Sequence, residues 1–532
     1  REELERANRE IEQPDFWNNL EYAQKVMKEK KTMEATIENY ESLEKSLSDI
    51  GEMIELTEME EASGASSEEL AEMAAGIEAD YADFEKKLED LRLKTLLTGK
   101  YDHCGAILSV HAGAGGVDAM DWASMLLRMY TRWCEKKGYS VKMLVLHKES
   151  QSEQVIPVGK DWQKKCTFLW ERLVIWTSNL FSRKNLFTVS IANTGFNVTK
   201  LPAFREADII HLHWINQGML SLNNIQEIFE SGKPVVWTLH DMWECTAICH
   251  HAHTCTLFKS ECRNCRFLRF PGKNDLAHRV FKKKQKLFSH ASPLNIVAVS
   301  TWLSSQIQQS ALLKEKPVSV IPNTLSPIDF RMMDKELSRK ELSLPDKHII
   351  LFGAARIDDP IKGVEYLLQA IRLLIEKKQF PQEKLHLALF GKIKYPEKLL
   401  NSIPVSYTYL GRIGDTNKLS QLYSAADVTV SASFYETFGQ TLIEAQACGC
   451  IPVSFGNSGQ ADIIRHKENG FLADYLSADS LAEGIRWGIS EARTAISKEN
   501  MRSEVFRKYS GEVVAKQYLN LYQNLIKRKV TQ

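Results

Sequence analysis

Along residues 1–98 apolar side chains recur at helical spacing. Met33, Ile37, Tyr40, Leu43, Leu47, Ile50 and Ile54 form one series; Leu70, Met73, Ile77, Tyr81, Phe84, Leu88 and Leu91 form another. The polar break EASGASSEE, with Gly64, separates them, and Pro14 starts or kinks an earlier helix. This period predicts a helical bundle or an antiparallel coiled hairpin with solvated polar faces. Near Ala106 the period changes. AILSVHAGAGG reads as a strand entering a glycine-rich turn, DAMDWASMLLRMYTRWCEKKGY as a helix ending at Gly138, and YSVKMLVLHK as a strand, together one βαβ unit. From Asn185 onward short apolar runs alternate with helical patterns: LFTVSIA, DIIHLH, PVVWTLH, NIVAVS, VSVIPN, HIILFGAA, LHLALFG, YTYLG, DVTVSAS and IPVSFG. Runs without alternation mark parallel strands buried on both faces. The prediction is an α/β architecture of two doubly wound Rossmann-like lobes behind the helical region, with LSLPDKH (342–348) linking the lobes.

Composition adds an asymmetry. The 532 residues are 44% hydrophobic and 26% charged, an ordinary globular balance, and length alone admits roughly three to five domains. No run of about 18 apolar residues predicts a membrane span. The opening REELER has no apolar signal core, so a cytoplasmic chain is expected. Net charge is zero, yet residues 1–100 carry 27 acidic against 13 basic side chains, which the rest of the chain balances with the opposite excess. Two oppositely charged parts suggest two origins or two partners. Four of the ten cysteines, Cys249, Cys255, Cys262 and Cys265, cluster at C-x5-C-x6-C-x2-C spacing. Structural zinc, unligated thiols and disulfides all remain open for them.

The front of the chain carries PDFWNN (14–19), long acidic helices, and LLTGKYDHCGAILSVHAGAGGVDAMDWASMLLRMYTRWCEKKGY. On these phrases residues 1 to about 138 resemble the N-terminal part of bacterial peptide chain release factor 2. That family's catalytic Gly-Gly-Gln and its Ser-Pro-Phe codon reader have no counterpart here. Termination activity and a ribosome partner are therefore not expected; a ribosome-associated remnant or a nonproductive chimera is the alternative reading.

In FYETFGQTLIEAQACG, Glu436 and Glu444 stand eight residues apart across a strand–loop–helix junction. Backbone N–H groups at that helix start, near Phe438, Gly439, Gln440 and Thr441, can hold a diphosphate. In FGAARIDDPIKGVEYLLQA, Gly353 follows a predicted strand, with Arg356 and Lys362 ahead of a helix starting near Gly363. Two fixed cations suit the charge growing on a departing nucleoside diphosphate. On these motifs residues from about 138 to the end resemble glycosyltransferase family 4, with the GT-B fold. The resemblance implies a retaining transferase of hexosyltransferase type, working in glycan or polysaccharide biosynthesis and moving a sugar from a UDP- or GDP-sugar to a saccharide or lipid-linked acceptor. It implies front-face attack, with no further cofactor required. It casts Arg356 and Lys362 on the phosphates, Glu444 on the ribose and Glu436 on the donor sugar. Asp462 stands where the family more often has Glu.

Further phrases follow the family's order. SVIPNTLSPIDF (319–330) closes the first lobe, and KYSGEVVAKQYLNLYQNLIKR is the terminal helix expected to pack back on it. The domains expected are 1–98, release-factor-like; 99–341, acceptor lobe; 342–510, donor lobe; and 511–532, returning helix. In the acceptor lobe His240 is the candidate for orienting the sugar or managing a proton, with Asp241 orienting its imidazole; a buried structural histidine is the alternative, and His211 and His213 are weaker candidates. HRVFKKKQKLFSH (278–290), basic with interleaved Phe and Leu, is either a peripheral membrane contact at the inner membrane face or a solvated helix face. The first βαβ of the acceptor lobe comes from the release-factor-like sequence. It either docks in the sheet or leaves a lobe that binds donor without turnover.

Overall fold

The computed structural model describes residues 2–11 and 20–63, scattered positions between 66 and 88, the strand 106–109, and residues 141–148, 152–291 and 293–531. The chain divides into two compact units, Arg1–Asp102 and His103–Gln532. The first contains helices α1 (Glu2–Ile11) and α2 (Leu20–Ser63). Of the predicted α2 seam, Leu43 and Ile50, seven residues apart, are buried, whereas Tyr40, Leu47 and Ile54 are exposed. The expected glycine-rich turn 111–116 and helix 117–138 lie outside the described residues.

The second unit holds two parallel sheets. The first runs β3-β2-β1-β4-β5-β6-β7, from β1 (Ala106–Ser109), β2 (Val141–Val145), β3 (Val155–Pro157), β4 (Ile209–Leu212), β5 (Val235–Leu239), β6 (Leu294–Ala298) and β7 (Val318–Val320). The second runs β10-β9-β8-β11-β12-β13, from β8 (His348–Arg356), β9 (Leu385–Lys392), β10 (Ser406–Tyr409), β11 (Val428–Ser431), β12 (Ile451–Phe455) and β13 (Phe471–Ala473). This is the predicted pair of doubly wound α/β lobes. Strand β1, from the release-factor-like sequence, is paired on both edges, Ala106 with Val141 of β2 and with Ile209 of β4. It therefore occupies an interior position of the first sheet.

Burial on both faces explains the unbroken apolar runs. Val141, Met143, Ile209, Val236 and Val297 face one side of the first sheet, where they meet Val514, Tyr518, Leu519 and Tyr522 of the terminal helix α8 (Gly511–Thr531). Leu144, Ile210, Leu212, Trp237 and Ile296 face the other. Each fully buried large side chain contributes roughly 1.5–3 kcal/mol of transfer free energy.

One expectation is corrected and two details are added. LFTVSIA forms no sheet strand. The Ile191 and Ala192 N–H groups donate instead to Glu171 Oε1 at 2.8 and 2.9 Å, and Val189 makes only an isolated bridge to Cys249. Glu171 belongs to α3 (Asp161–Ser178) and is itself buried beside Arg172 at 2.7 Å. The short edge strand β3, three residues ending in Pro157, was not foreseen. In the basic stretch 278–290, helix α4 (Leu276–Ser289) turns Val280, Phe281, Leu287 and Phe288 into the core and leaves Lys282, Lys283 and Lys286 outside. The apolar residues of that stretch are spent on packing, and its exposed side is basic.

Candidate functional site

In the donor lobe β8 ends on Arg356, so Gly353, expected to follow the strand, lies inside it. A β-carbon there would fall 2.0 Å from the Phe390 ring; the glycine makes room for close side-chain packing. Arg356 Nη2 lies 2.6 Å from Asp359, which also caps the single turn Pro360–Lys362 by accepting from Ile361 N. Gly363 follows with φ +67° and starts α6 (Val364–Glu376). Its missing β-carbon would sit 2.0 Å from the Ala432 carbonyl oxygen, and Phe434 N donates to Ile361 O at 2.8 Å. These contacts hold the 361–363 turn against the loop after β11 and bring Lys362 Nζ to 2.7 Å from Glu436 Oε1.

That loop leads into α7 (Gln440–Ala447) through Gly439 at φ +110°, which has no side chain to cap the first-turn amides. Glu444, on the second turn, accepts from the buried Tyr423 hydroxyl at 3.0 Å. Behind the loop, Ser458 Oγ accepts from Glu436 N at 2.9 Å, and Gly459 N donates to Glu436 O at 2.8 Å. A β-carbon on Gly459 would meet Thr437 O at 2.2 Å, so the GNSGQ segment forms a close-fitting support. Tyr423, Asp359, Ser458 and Gly459 were absent from the sequence-based site. Asp359 acts locally, on Arg356 and Ile361, whereas Tyr423, Ser458 and Gly459 act through contacts between residues far apart in sequence.

The acceptor lobe meets this loop directly. Thr437 Oγ1 donates to His240 O at 2.8 Å, and Ser300 Oγ donates to Thr437 O at 2.6 Å. At the start of α5 (Thr301–Gln309), Thr301 N donates to Asp462 at 2.5 Å. His251 packs on the Tyr435 ring, centroids 3.8 Å apart, and His253 Nε2 lies 3.3 Å from the Tyr435 hydroxyl. Lys362, Glu436, His240, His251 and the start of α7 thus border one junction between the lobes.

The histidines form a ladder. His211 bonds the Tyr522 hydroxyl at 2.6 Å and Thr238 Oγ1 at 2.8 Å, and its ring lies 4.2 Å from that of His213. His213 Nδ1 reaches His240 Nε2 at 2.9 Å. Burial holds all three imidazoles below their ordinary range, His240 at about 3, so they are neutral at pH 7. Asp241 does not orient His240. Its carboxylate lies 2.7 Å from His250 Nδ1 and accepts from Trp214 Nε1 and Trp243 N. Despite opposing burial, these partners hold it at about 2.

Cys249, Cys255, Cys262 and Cys265 are free thiols, and among the described residues no group of three or more His, Cys, Asp or Glu is arranged to hold a metal. Burial pushes the Cys249, Cys262 and Cys265 thiols up to about 12, and the neighbouring thiols add to the rise. A zinc ligand must be a thiolate, so metal binding here would have to displace these protons, and among the described residues no zinc site is shown.

Comparison with known proteins accords with this geometry. Residues 1–158 match the PCRF domain, 126–327 match Glycosyltransferase Family 4, and 334–505 match Glycosyl transferases group 1. Peptide chain release factor 2 of Proteus mirabilis (strain HI4320) is 38% identical over 144 residues, 27% of this chain and 37% of that protein. The chain therefore spans just over a third of that relative. Sucrose-phosphate synthase from Thermosynechococcus elongatus aligns at TM-score 0.56 and 18% identity, covering 80% of this chain and 100% of that one. A glycosyltransferase from Rickettsia africae ESF-5 gives 0.54 and 16%, with the same coverage. Anabaena HepE, solved with UDP-glucose, gives 0.50 and 15%, covering 79% and 100%. The larger part of the chain is a glycosyltransferase of the GT-B type. Its two lobes match the family 4 and group 1 glycosyltransferase models, behind a PCRF-domain sequence in one chimeric chain.

Proposed function

We propose that the two-lobed unit transfers a hexose, with retention, from a UDP- or GDP-sugar to a saccharide or lipid-linked acceptor. The observation that carries this reading is the meeting of Lys362 and Glu436 at 2.7 Å beside the uncapped start of α7, with Glu444 one turn further on. When donor arrives, Lys362 exchanges Glu436 for the β-phosphate, Arg356 adds a second cation, and the first amides of α7 receive the remaining phosphate oxygens. Glu436, released from Lys362, accepts from donor-sugar hydroxyls, and Glu444 accepts from the ribose. The acceptor oxygen bonds to the anomeric carbon on the face that the phosphate oxygen leaves, and the acceptor proton passes to that phosphate oxygen. His240, neutral and backed by His213, orients the acceptor by hydrogen bonding and carries no charge into the step.

The test is release of UDP or GDP from nucleotide sugars by the purified chain, with and without candidate acceptors. Glu444→Ala is expected to cut release at least tenfold, as loss of a charged hydrogen bond does. Unchanged release from this variant would remove the site assignment.

A further inference from the structure

Helix α3 is built inside out. Its inward face buries Lys164, Glu171 and Arg172 beside Ile175. These polar groups have partners within the lobe: Lys164 has Asp161 at 2.9 Å, Glu171 accepts from two backbone amides, and Arg172 Nη1 donates to the Leu186 and Val189 carbonyls at 2.6 and 3.0 Å. Its outward face carries Trp162, Leu169, Trp170 and Leu173, at i, i+7, i+8 and i+11, which lie on one stripe. Trp162, Leu169 and Trp170 are 63%, 62% and 55% exposed.

Two segments packed against the other edge of the helix add further aromatic side chains. Phe187 stacks on Phe168 with centroids 6.4 Å apart, and Phe181 meets Trp176 edge-on at 4.8 Å. The 266–270 segment is tied alongside, because Arg269 N donates to Asn179 Oδ1 at 2.6 Å and Asn185 Nδ2 donates to Phe267 O at 3.0 Å. It adds Phe270, 60% exposed. Among the described residues of a soluble surface, so much clustered aromatic area marks an interaction site.

The charges around it decide the partner. Between Trp162 and Thr188 the one acidic residue, Glu171, is buried, while Lys165, Arg183 and Lys184 are exposed. Residues 263–273 contain no acidic side chain, and there Arg263, Arg266 and Arg269 are exposed. Tryptophan and phenylalanine flanked by these exposed cations, with Asp161 paired to Lys164 and Glu261 to Arg263, match the headgroup layer of an anionic bilayer, where indoles settle at the interface and each nearby cation raises partitioning about fivefold. We propose that the α3 face, with its 181–187 and 266–270 flanks, seats the chain on an anionic phospholipid surface.

The experiment is sedimentation of the full chain with vesicles of phosphatidylcholine alone or mixed with phosphatidylglycerol. Wild type is expected to sediment with the mixed vesicles, far less with neutral ones, and less as salt rises. Trp170→Ser and, separately, Trp162→Ser should each lower the bound fraction severalfold. Arg183→Glu with Lys184→Glu should lower it more than tenfold. Melting temperature and nucleotide release in the absence of vesicles should stay unchanged, since these side chains are exposed and lie outside the transfer site. Equal binding to both vesicle types, no binding, or binding indifferent to these substitutions overturns the proposal. So does a wild-type chain that ignores vesicles but changes mass in light scattering when Trp170 is replaced, which would make the face an interface between copies.

Discussion

Gly363 offers a matched experiment on how the donor lobe holds Lys362. Gly363 and Gly232 share the same left-handed backbone, φ +67° each, but differ in surroundings. A β-carbon on Gly232 would meet nothing within 4 Å, whereas one on Gly363 would stand 2.0 Å from the Ala432 carbonyl oxygen. Gly232→Ala therefore costs only the left-handed penalty, about 1–2 kcal/mol. Gly363→Ala adds a clash more than 1 Å inside ordinary contact, so about 1–3 kcal/mol of overpacking is added to the same penalty. The displaced residue adjoins Lys362, and a shift of roughly 1 Å in a positioned group lowers turnover about a hundredfold. Urea denaturation of both variants, with nucleotide release measured on each, separates the two effects. The reasoning is refuted if the variants lose equal stability, or if Gly363→Ala keeps wild-type turnover.

Two further outcomes follow from buried charge. Asp427 binds Lys335 and Arg339 and accepts from Ile349 N; burial raises its carboxyl, but these partners outweigh that and hold it below its ordinary value. Asp427→Asn leaves two cations without their carboxylate and should cost about 3 kcal/mol or more by denaturant unfolding, whereas a loss under about 1 kcal/mol would mean that solvent already screens the cluster. The histidine ladder predicts acid sensitivity. The folded state keeps His211, His213 and His240 neutral, so between the ordinary imidazole value near 6.5 and the value of about 3 at His240, the unfolded chain binds more protons. Stability then falls as pH drops through that window, by up to about 1.4 kcal/mol per pH unit for each histidine. Unfolding free energies that stay level between pH 7 and 5.5 would contradict this.

The sheets were legible because parallel strands buried on both faces must be apolar throughout, and DIIHLH, PVVWTLH and NIVAVS are. LFTVSIA satisfied the same criterion and failed, since apolar burial says nothing about where backbone amides bond; Glu171, some twenty residues earlier, takes them. Local order placed Lys362, Glu436 and Glu444 on a turn, a loop and a helix, but their supports Tyr423 and Ser458 depend on which strands adjoin. Asp241 misled because it follows His240 in sequence, whereas neighbours at a strand end point in opposite directions, and its partner is His250. The polarity of α3 could not be read from periodicity, because both of its faces mix apolar and charged residues and only the fold decides which is buried.

The most direct test of the account is thermal unfolding of the full chain against a panel of UDP- and GDP-sugars, beside the Lys362→Ala and Glu444→Ala variants. A ligand that binds only the folded state stabilises it, by about 2.7 kcal/mol at a hundredfold excess over Kd. The account predicts that at least one nucleotide sugar raises the melting temperature of the wild type and that either substitution removes most of the rise. No rise with any donor, or an equal rise in all three proteins, would contradict a donor site built on Lys362, Glu436 and the opening turn of α7.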